Sequence, residues 1–193
     1  MTIKKNFDSY FRKLSEGIKL INFDYVDILY HNLRDSIGTQ KNVFIFGNGG
    51  SAANAMHIAN DFIYGISKEF GNAVRINALS SNQSVLTCLA NDIGYESIFV
   101  NQLAVLASPG DIAIALSGSG NSPNVVKAIE WANDNKLITF AILGFDGGEL
   151  KNIAQNPIHL PVNDMQMSED SQLIICHMIM QEIFEHLAVE KQS

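Results

Sequence analysis

Two short stretches of the chain hold residues whose types and spacing suit the binding of an anion. Gly47-Asn48-Gly49-Gly50-Ser51 follows the apolar run Val43-Phe44-Ile45-Phe46, and Ser117-Gly118-Ser119-Gly120-Asn121-Ser122 follows Ile112 to Leu116. A helical pattern comes after each. A loop that leaves a strand and opens a helix presents free backbone N–H groups at the positive end of the helix dipole, where an anion binds. Glycine lets the backbone approach a phosphate closely. Serine hydroxyls bond phosphate oxygens without adding charge. One such loop is ordinary turn and N-cap chemistry. Two of them, after two strands of one sheet, point to a phosphate-bearing small molecule.

A second group of residues carries ionisable side chains, which at this spacing belong either to a solvated face or to a site. His57 and Asp61 stand one turn apart on the helix predicted after the first loop, so they share a face. Ala52, Ala55, Met56, Ala59 and Phe62 are assigned to its core face. Far along the chain, Glu169 and His177 flank the start of a strongly apolar helix. His177 sits among apolar residues, as a core histidine bonded to a backbone carbonyl would; an ionisable group there costs free energy unless it is paired, which keeps a functional reading open.

These loops need a framework, and the rest of the sequence supplies one. The pattern of apolar run, small polar loop and helix recurs at Val74 to Leu79 with Ser80-Ser81-Asn82-Gln83-Ser84, and at Thr139 to Leu143 with Gly144-Phe145-Asp146-Gly147-Gly148. A last run, Ile158 to Val162, is expected as an edge strand because Pro161 cannot donate to a ladder. Runs apolar on both faces, alternating with helices, describe a buried parallel sheet. The expectation is an α/β, doubly wound, five-stranded parallel sheet of flavodoxin-like order, with ligands at the carboxyl ends of the strands. Residues 7 to 37 read as two amphipathic helices broken near Asn22-Phe23-Asp24, a surface layer or oligomer contact. The final helix, about 168 to 188, is apolar nearly all round, and burial on every face implies another subunit.

Composition excludes several classes. With 193 residues, 47% of them hydrophobic and 17% charged, the chain fits one folded domain, 1–193. A net charge of -7 argues against a nucleic-acid or anionic-membrane partner. No apolar run nears the roughly 20 residues of a membrane span, and the N-terminus lacks the apolar core of a signal peptide. The expected location is the cytoplasm. Cys88 and Cys176 each sit in an apolar run and are expected as buried thiols. The stretch from Gly47 to Ala52 fits a loose dinucleotide-binding pattern, but the next strand ends Leu79-Ser80-Ser81 without the acid that would hold a ribose. No Lys follows these glycines, so the Walker pattern is absent as well.

From about residue 40 to 187 the chain resembles the sugar isomerase (SIS) domain, and within it the phosphoheptose isomerases. The resemblance rests on the segment from Gly47 through Ser51 to His57, on Ala90-Asn91-Asp92, on the serine loop from Ser117 to Ser122 and on Gly144 to Gly148. It implies conversion of sedoheptulose 7-phosphate to a manno-heptose 7-phosphate for bacterial surface polysaccharide. It also implies a bound zinc ion and a homotetramer with sites between subunits, residues 1–37 serving as the helical oligomerisation segment. Substrate contacts carry over to Asn48, Gly49, Gly50, Ser51, Asn91, Asp92, Ser117, Gly118, Ser119 and Ser122. The metal and acid/base positions carry over to His57, Asp61, Glu169 and His177, with Asp61 and His177 as proton-transfer groups and Glu169 also near the substrate. Three positions depart from the family pattern: Asp61 stands for Glu, Glu169 for Gln after Met167-Ser168 rather than Arg-Ile, and Gly118 for Thr. Glu169 and His177 are eight residues apart, about 12 Å along a helix. One ion can bind both only if Glu169 precedes the helix or comes from a neighbouring subunit. The rival readings are a non-catalytic SIS protein of the replication-initiator-binding kind, which lacks the acid/base set, and a sugar-phosphate sensor.

Overall fold

The computed structural model describes residues 2–192. Helices α1 (Ile3–Ile18) and α2 (Phe23–Ser36) come first. Asn22 separates them, its side chain accepting from Asp24 N at 3.0 Å. That is N-cap chemistry, and it explains the predicted break. Strand β1 (Val43–Gly47) feeds α3 (Gly49–Asn60), a π-helical turn at Asp61–Gly65 and α4 (Ile66–Phe70). Then follow β2 (Ile76–Ala78), α5 (Gln83–Asp92), α6 (Val100–Leu106), β3 (Ile112–Ser117) and α7 (Pro123–Asp134). The chain ends with β4 (Ile138–Leu143), α8 (Leu150–Ile153), β5 (Asn156–His159) and α9 (Met165–Glu190).

The five strands pair in the order β2-β1-β3-β4-β5, all parallel, which is the expected doubly wound sheet. Alternate side chains of a strand point to opposite faces, and the core divides accordingly. Val43, Ile45, Ile112, Ile114 and Leu116 pack with Leu29, Ile58 and Ile175 of α2, α3 and α9 on one face. Phe44, Phe46, Ala113 and Ala115 pack with Phe99, Val125 and Ile129 on the other. This is why the runs are apolar throughout rather than alternating.

Four expectations need correction at this level. The edge strand lies at Asn156–His159, so Pro161 falls beyond it and Pro157 is the edge proline. The final helix starts at Met165, because Asp164 caps it by accepting from Met167 N at 3.1 Å. It is not buried all round in the single chain: Ile175, Cys176, Ile179 and Ile183 are covered, while Ile174 and Met178 are exposed. Of the two thiols, Cys176 is buried and Cys88 is exposed. No helix among the described residues is long and apolar enough to cross a membrane.

Candidate active site

The two glycine-serine loops meet at the carboxyl ends of β1 and β3, which are neighbours in the sheet. A cavity of about 260 Å³ opens between them, lined by Asn48, Gly49, Gly50, Ser51, Leu116, Ser117, Gly118, Ser119, Ser122, Met165 and Glu169. Its lining includes no Lys or Arg, so backbone N–H groups at the starts of α3 and α7 supply the positive potential. The serine oxygens already accept from the protein: Ser117 Oγ from Gly120 N at 3.0 Å, Ser119 Oγ from Asn121 N at 3.3 Å, and Ser51 Oγ from Gln172 Nε2 at 3.0 Å. Their hydroxyl protons are thereby directed toward donation, which suits an acceptor-only phosphate. Gly50 permits a close approach, since a β-carbon there would lie 2.5 Å from Glu169 Cδ.

The second cluster lies farther along α3 and α9. His57 Nε2 stands 3.1 Å from His177 Nε2 and 3.4 Å from Asp61 Oδ2, and His177 Nε2 stands 3.2 Å from that same oxygen. Asp61 opens the π-helical turn, a widened turn of the kind that often sits at functional sites. Tetrahedral zinc with ligand bonds of about 2.0–2.1 Å places its donors about 3.3 Å apart, so the three separations and the two-imidazole, one-carboxylate set fit a zinc ion. Gly50 meets Glu169 at one end of the α3–α9 contact, and His57 meets His177 at the other. The helices therefore run side by side from the loop cavity to the cluster.

Several expected residues lie elsewhere. Glu169 does not join His57, Asp61 and His177 within this chain. It sits inside α9, eight residues before His177, and lines the loop cavity instead. Asn91 and Asp92 are exposed at the end of α5 and outside that cavity; Asn91 Nδ2 donates to Asp92 Oδ1 at 2.8 Å, and Cys88 Sγ lies 3.4 Å from Asp92 Oδ2. Met56 is exposed rather than core, whereas Ala55, Ala59 and Phe62 are buried as expected.

Other residues at the site escaped sequence reasoning. Gln172, 1% exposed, ties Ser51 to α9 and accepts from Asn54 Nδ2 at 2.9 Å. Asn48 exchanges carboxamide hydrogen bonds with Asn124 and accepts from Tyr95. Asn124 stands just after the Ser122-Pro123 helix start, and that position was the signal available. Gln172 lies 121 residues from Ser51 and gave none.

The comparisons with known proteins follow the same lines. The SIS domain family model matches residues 6–144, and with the parallel sheet and paired loops it defines the chain as a SIS-domain protein. The phosphoheptose isomerase of Trichlorobacter lovleyi is 38% identical over 151 residues, 78% of this chain and 76% of that one. The phosphoheptose isomerase of Helicobacter pylori (strain Shi470) is 32% identical over 186 residues, 96% of each chain. A solved phosphoheptose isomerase from Francisella tularensis superposes with a TM-score of 0.83 over 96% of this chain and 100% of that one; at 22% identity it speaks for the fold. The chain belongs to the phosphoheptose isomerase family within the SIS-domain proteins.

Proposed function

We propose that this chain is an aldose–ketose isomerase that converts sedoheptulose 7-phosphate to D-glycero-D-manno-heptose 7-phosphate, a precursor of bacterial surface polysaccharide, in the cytoplasm. The observation that carries the reading is the placement of an anion cradle and a His/Asp/His cluster at two ends of one helix pair. Gly50 to His57 is seven residues and Glu169 to His177 eight, or about 10–12 Å along each axis. A seven-carbon sugar with its phosphate on C7 spans a comparable length when extended. With the phosphate in the cradle, C1 and C2 reach toward the cluster.

Isomerisation removes a proton from C1 of the ketose, passes through an enediol and delivers a proton to C2. Asp61 and His177 are the proton-transfer groups, a carboxylate and an imidazole being suited to both halves. His57, Asp61 and His177 would hold zinc, which when bound supplies Lewis-acid polarisation of the carbonyl. A fourth donor is assigned to the partner subunit's Glu169, since two turns of α9 separate this chain's own Glu169 from His177. Lone pairs committed to a metal do not take protons, so Asp61 and His177 would transfer protons through the carboxylate oxygen and ring nitrogen left off the metal. Asn91 and Asp92 remain assigned to the sugar. The whole chain is read as a single SIS domain, with 1–37 and the open face of α9 joining subunits of a homotetramer.

The test is incubation with sedoheptulose 7-phosphate, with and without chelator, followed by detection of aldose phosphate. His177→Ala should lower turnover by about 10²-fold or more, and His57→Ala should chiefly lower bound zinc. Tight binding of the heptulose phosphate with no aldose formed, zinc present or absent, would favour the non-catalytic binding protein.

A further inference from the structure

The two anion-binding loops are joined by a contact that neither needs for its own helix. Asn48 occupies the N-cap position of α3, where an Asn side chain ordinarily turns back to accept from the first-turn N–H groups. It does not do so here. Its Nδ2 donates to Asn124 Oδ1 at 2.8 Å and its Oδ1 accepts from Asn124 Nδ2 at 2.8 Å, a reciprocal carboxamide pair. The Tyr95 hydroxyl donates to the same Asn48 Oδ1 at 2.9 Å. Both lone pairs of that oxygen are then in use, and the side chain is held away from its own helix. The N-cap of α7, Ser122, makes no side-chain cap either. First-turn N–H groups of α3 are thus left without a side-chain cap beside a cavity that both loops line, while in α7 Pro123 has no N–H and Val125 N donates to Ser122 O.

Asn124 is 1% exposed. Burying a carboxamide is unfavourable unless it is hydrogen-bonded, and Asn124 finds its partner across the gap between the loops.

We propose that the Asn48–Asn124 pair is a clasp that sets the spacing of the two loops for a phosphate, with Asn124 and Tyr95 as positioning residues. The proposal rests on reading this cavity as the phosphate site. Without the Tyr95 hydroxyl, a lone pair of Asn48 is released, and its side chain can fold back onto α3 and occupy the N–H groups that the anion uses. The effect falls on anion affinity rather than on the proton-transfer cluster.

The experiment measures inorganic phosphate binding by calorimetry, steady-state kinetics with sedoheptulose 7-phosphate, and thermal stability, for wild type, Tyr95→Phe and Asn124→Ala. Tyr95→Phe removes one hydrogen bond at an exposed ring, so phosphate Kd and KM should rise together about 2–10-fold, with kcat and Tm unchanged. Asn124→Ala should raise both further. If Asn124→Ala does not fold, Tyr95→Phe still decides. Unchanged phosphate Kd in the variants that fold overturns the clasp, as does a fall in kcat at constant KM and Kd. If wild type binds phosphate, the variants weaken it and no aldose forms, the clasp stands and the isomerase reading fails. If wild type does not bind phosphate, the clasp falls, and aldose formation alone decides the isomerase reading.

Discussion

Two glycines in the serine loop, two residues apart, should respond oppositely to the same substitution. Gly120 has φ +69°, and a β-carbon there would stand 2.5 Å from the Gly147 carbonyl carbon and 3.1 Å from Gly148 N. Both obstacles are backbone and cannot rotate away. The left-handed conformation costs an L-residue about 1–2 kcal/mol, and forced overpacking adds about 1–3 kcal/mol. Gly120→Ala should therefore lose about 2–5 kcal/mol, which in a chain of this size lowers Tm by about 4–20 °C. Gly118 is outside the left-handed region, and its β-carbon would meet Met165 Sδ at 2.6 Å. That obstacle is the end of a flexible side chain that is 41% exposed. Moving it costs little, and replacing glycine lowers the entropy of the unfolded chain by a compensating amount of about 0.4–1 kcal/mol. Gly118→Ala should melt within about 3 °C of wild type. Circular dichroism melts of both variants decide the matter. Equal melting of Gly120→Ala and wild type would refute the reasoning, and so would a Gly118→Ala variant as weak as Gly120→Ala.

The single chain leaves Phe7, Phe11, Ile28, Ile174 and Met178 exposed on its helices; light scattering at micromolar concentration should report a tetramer, and a monomer would remove the basis for a shared site. Asp92 accepts from the Cys88 thiol and its charge opposes the thiolate, so the thiol pKa is raised and less thiolate exists at a given pH. Asp92→Asn should speed alkylation of Cys88 near pH 8, followed by mass spectrometry, and an unchanged or slower rate would contradict this. Cys176, pushed up to about 12 by burial, should stay unlabelled in the folded protein.

The sheet was legible because buried parallel strands write themselves as short apolar runs, and each loop as a small-residue break. Strand ends were less so. Pro157 and Pro161 both suit an edge, and pairing with Phe140 to Leu143 decides for the first. The His57–Asp61 pairing followed from helical spacing alone. Its junction with His177 depends on how α9 lies against α3, a contact 120 residues apart in the chain. The place of Glu169 was stated as a condition on where α9 begins. Asp164, acting as the cap, puts Glu169 inside the helix and away from His177. Cys88 and Met56 were misplaced for a shared reason: an apolar neighbourhood in sequence does not say which side of a helix a partner covers.

Two of the three expected departures, Gly118 and Glu169, lie along one contact, between the loops and the start of α9. Where β-carbons at Gly50, Gly118 and Gly144 would stand, the structure has atoms of Glu169, Met165 and Ser168. Gly118 and Gly144 directly follow β3 and β4, Gly50 lies in the first turn of α3, and the three side chains belong to the first five residues of α9. The start of the helix is seated against these three glycines. Gly118 and the Met-Ser-Glu segment therefore belong together: a threonine at 118 would displace Met165. The same helix carries His177 two turns beyond Glu169. An α-helix transmits a shift of its first turn along its axis with little loss, so the fit of Met165, Ser168 and Glu169 against the loops also sets where His177 meets His57 and Asp61. In this chain the loop cavity and the His57–Asp61–His177 cluster both rest on the packing of α9 against α3.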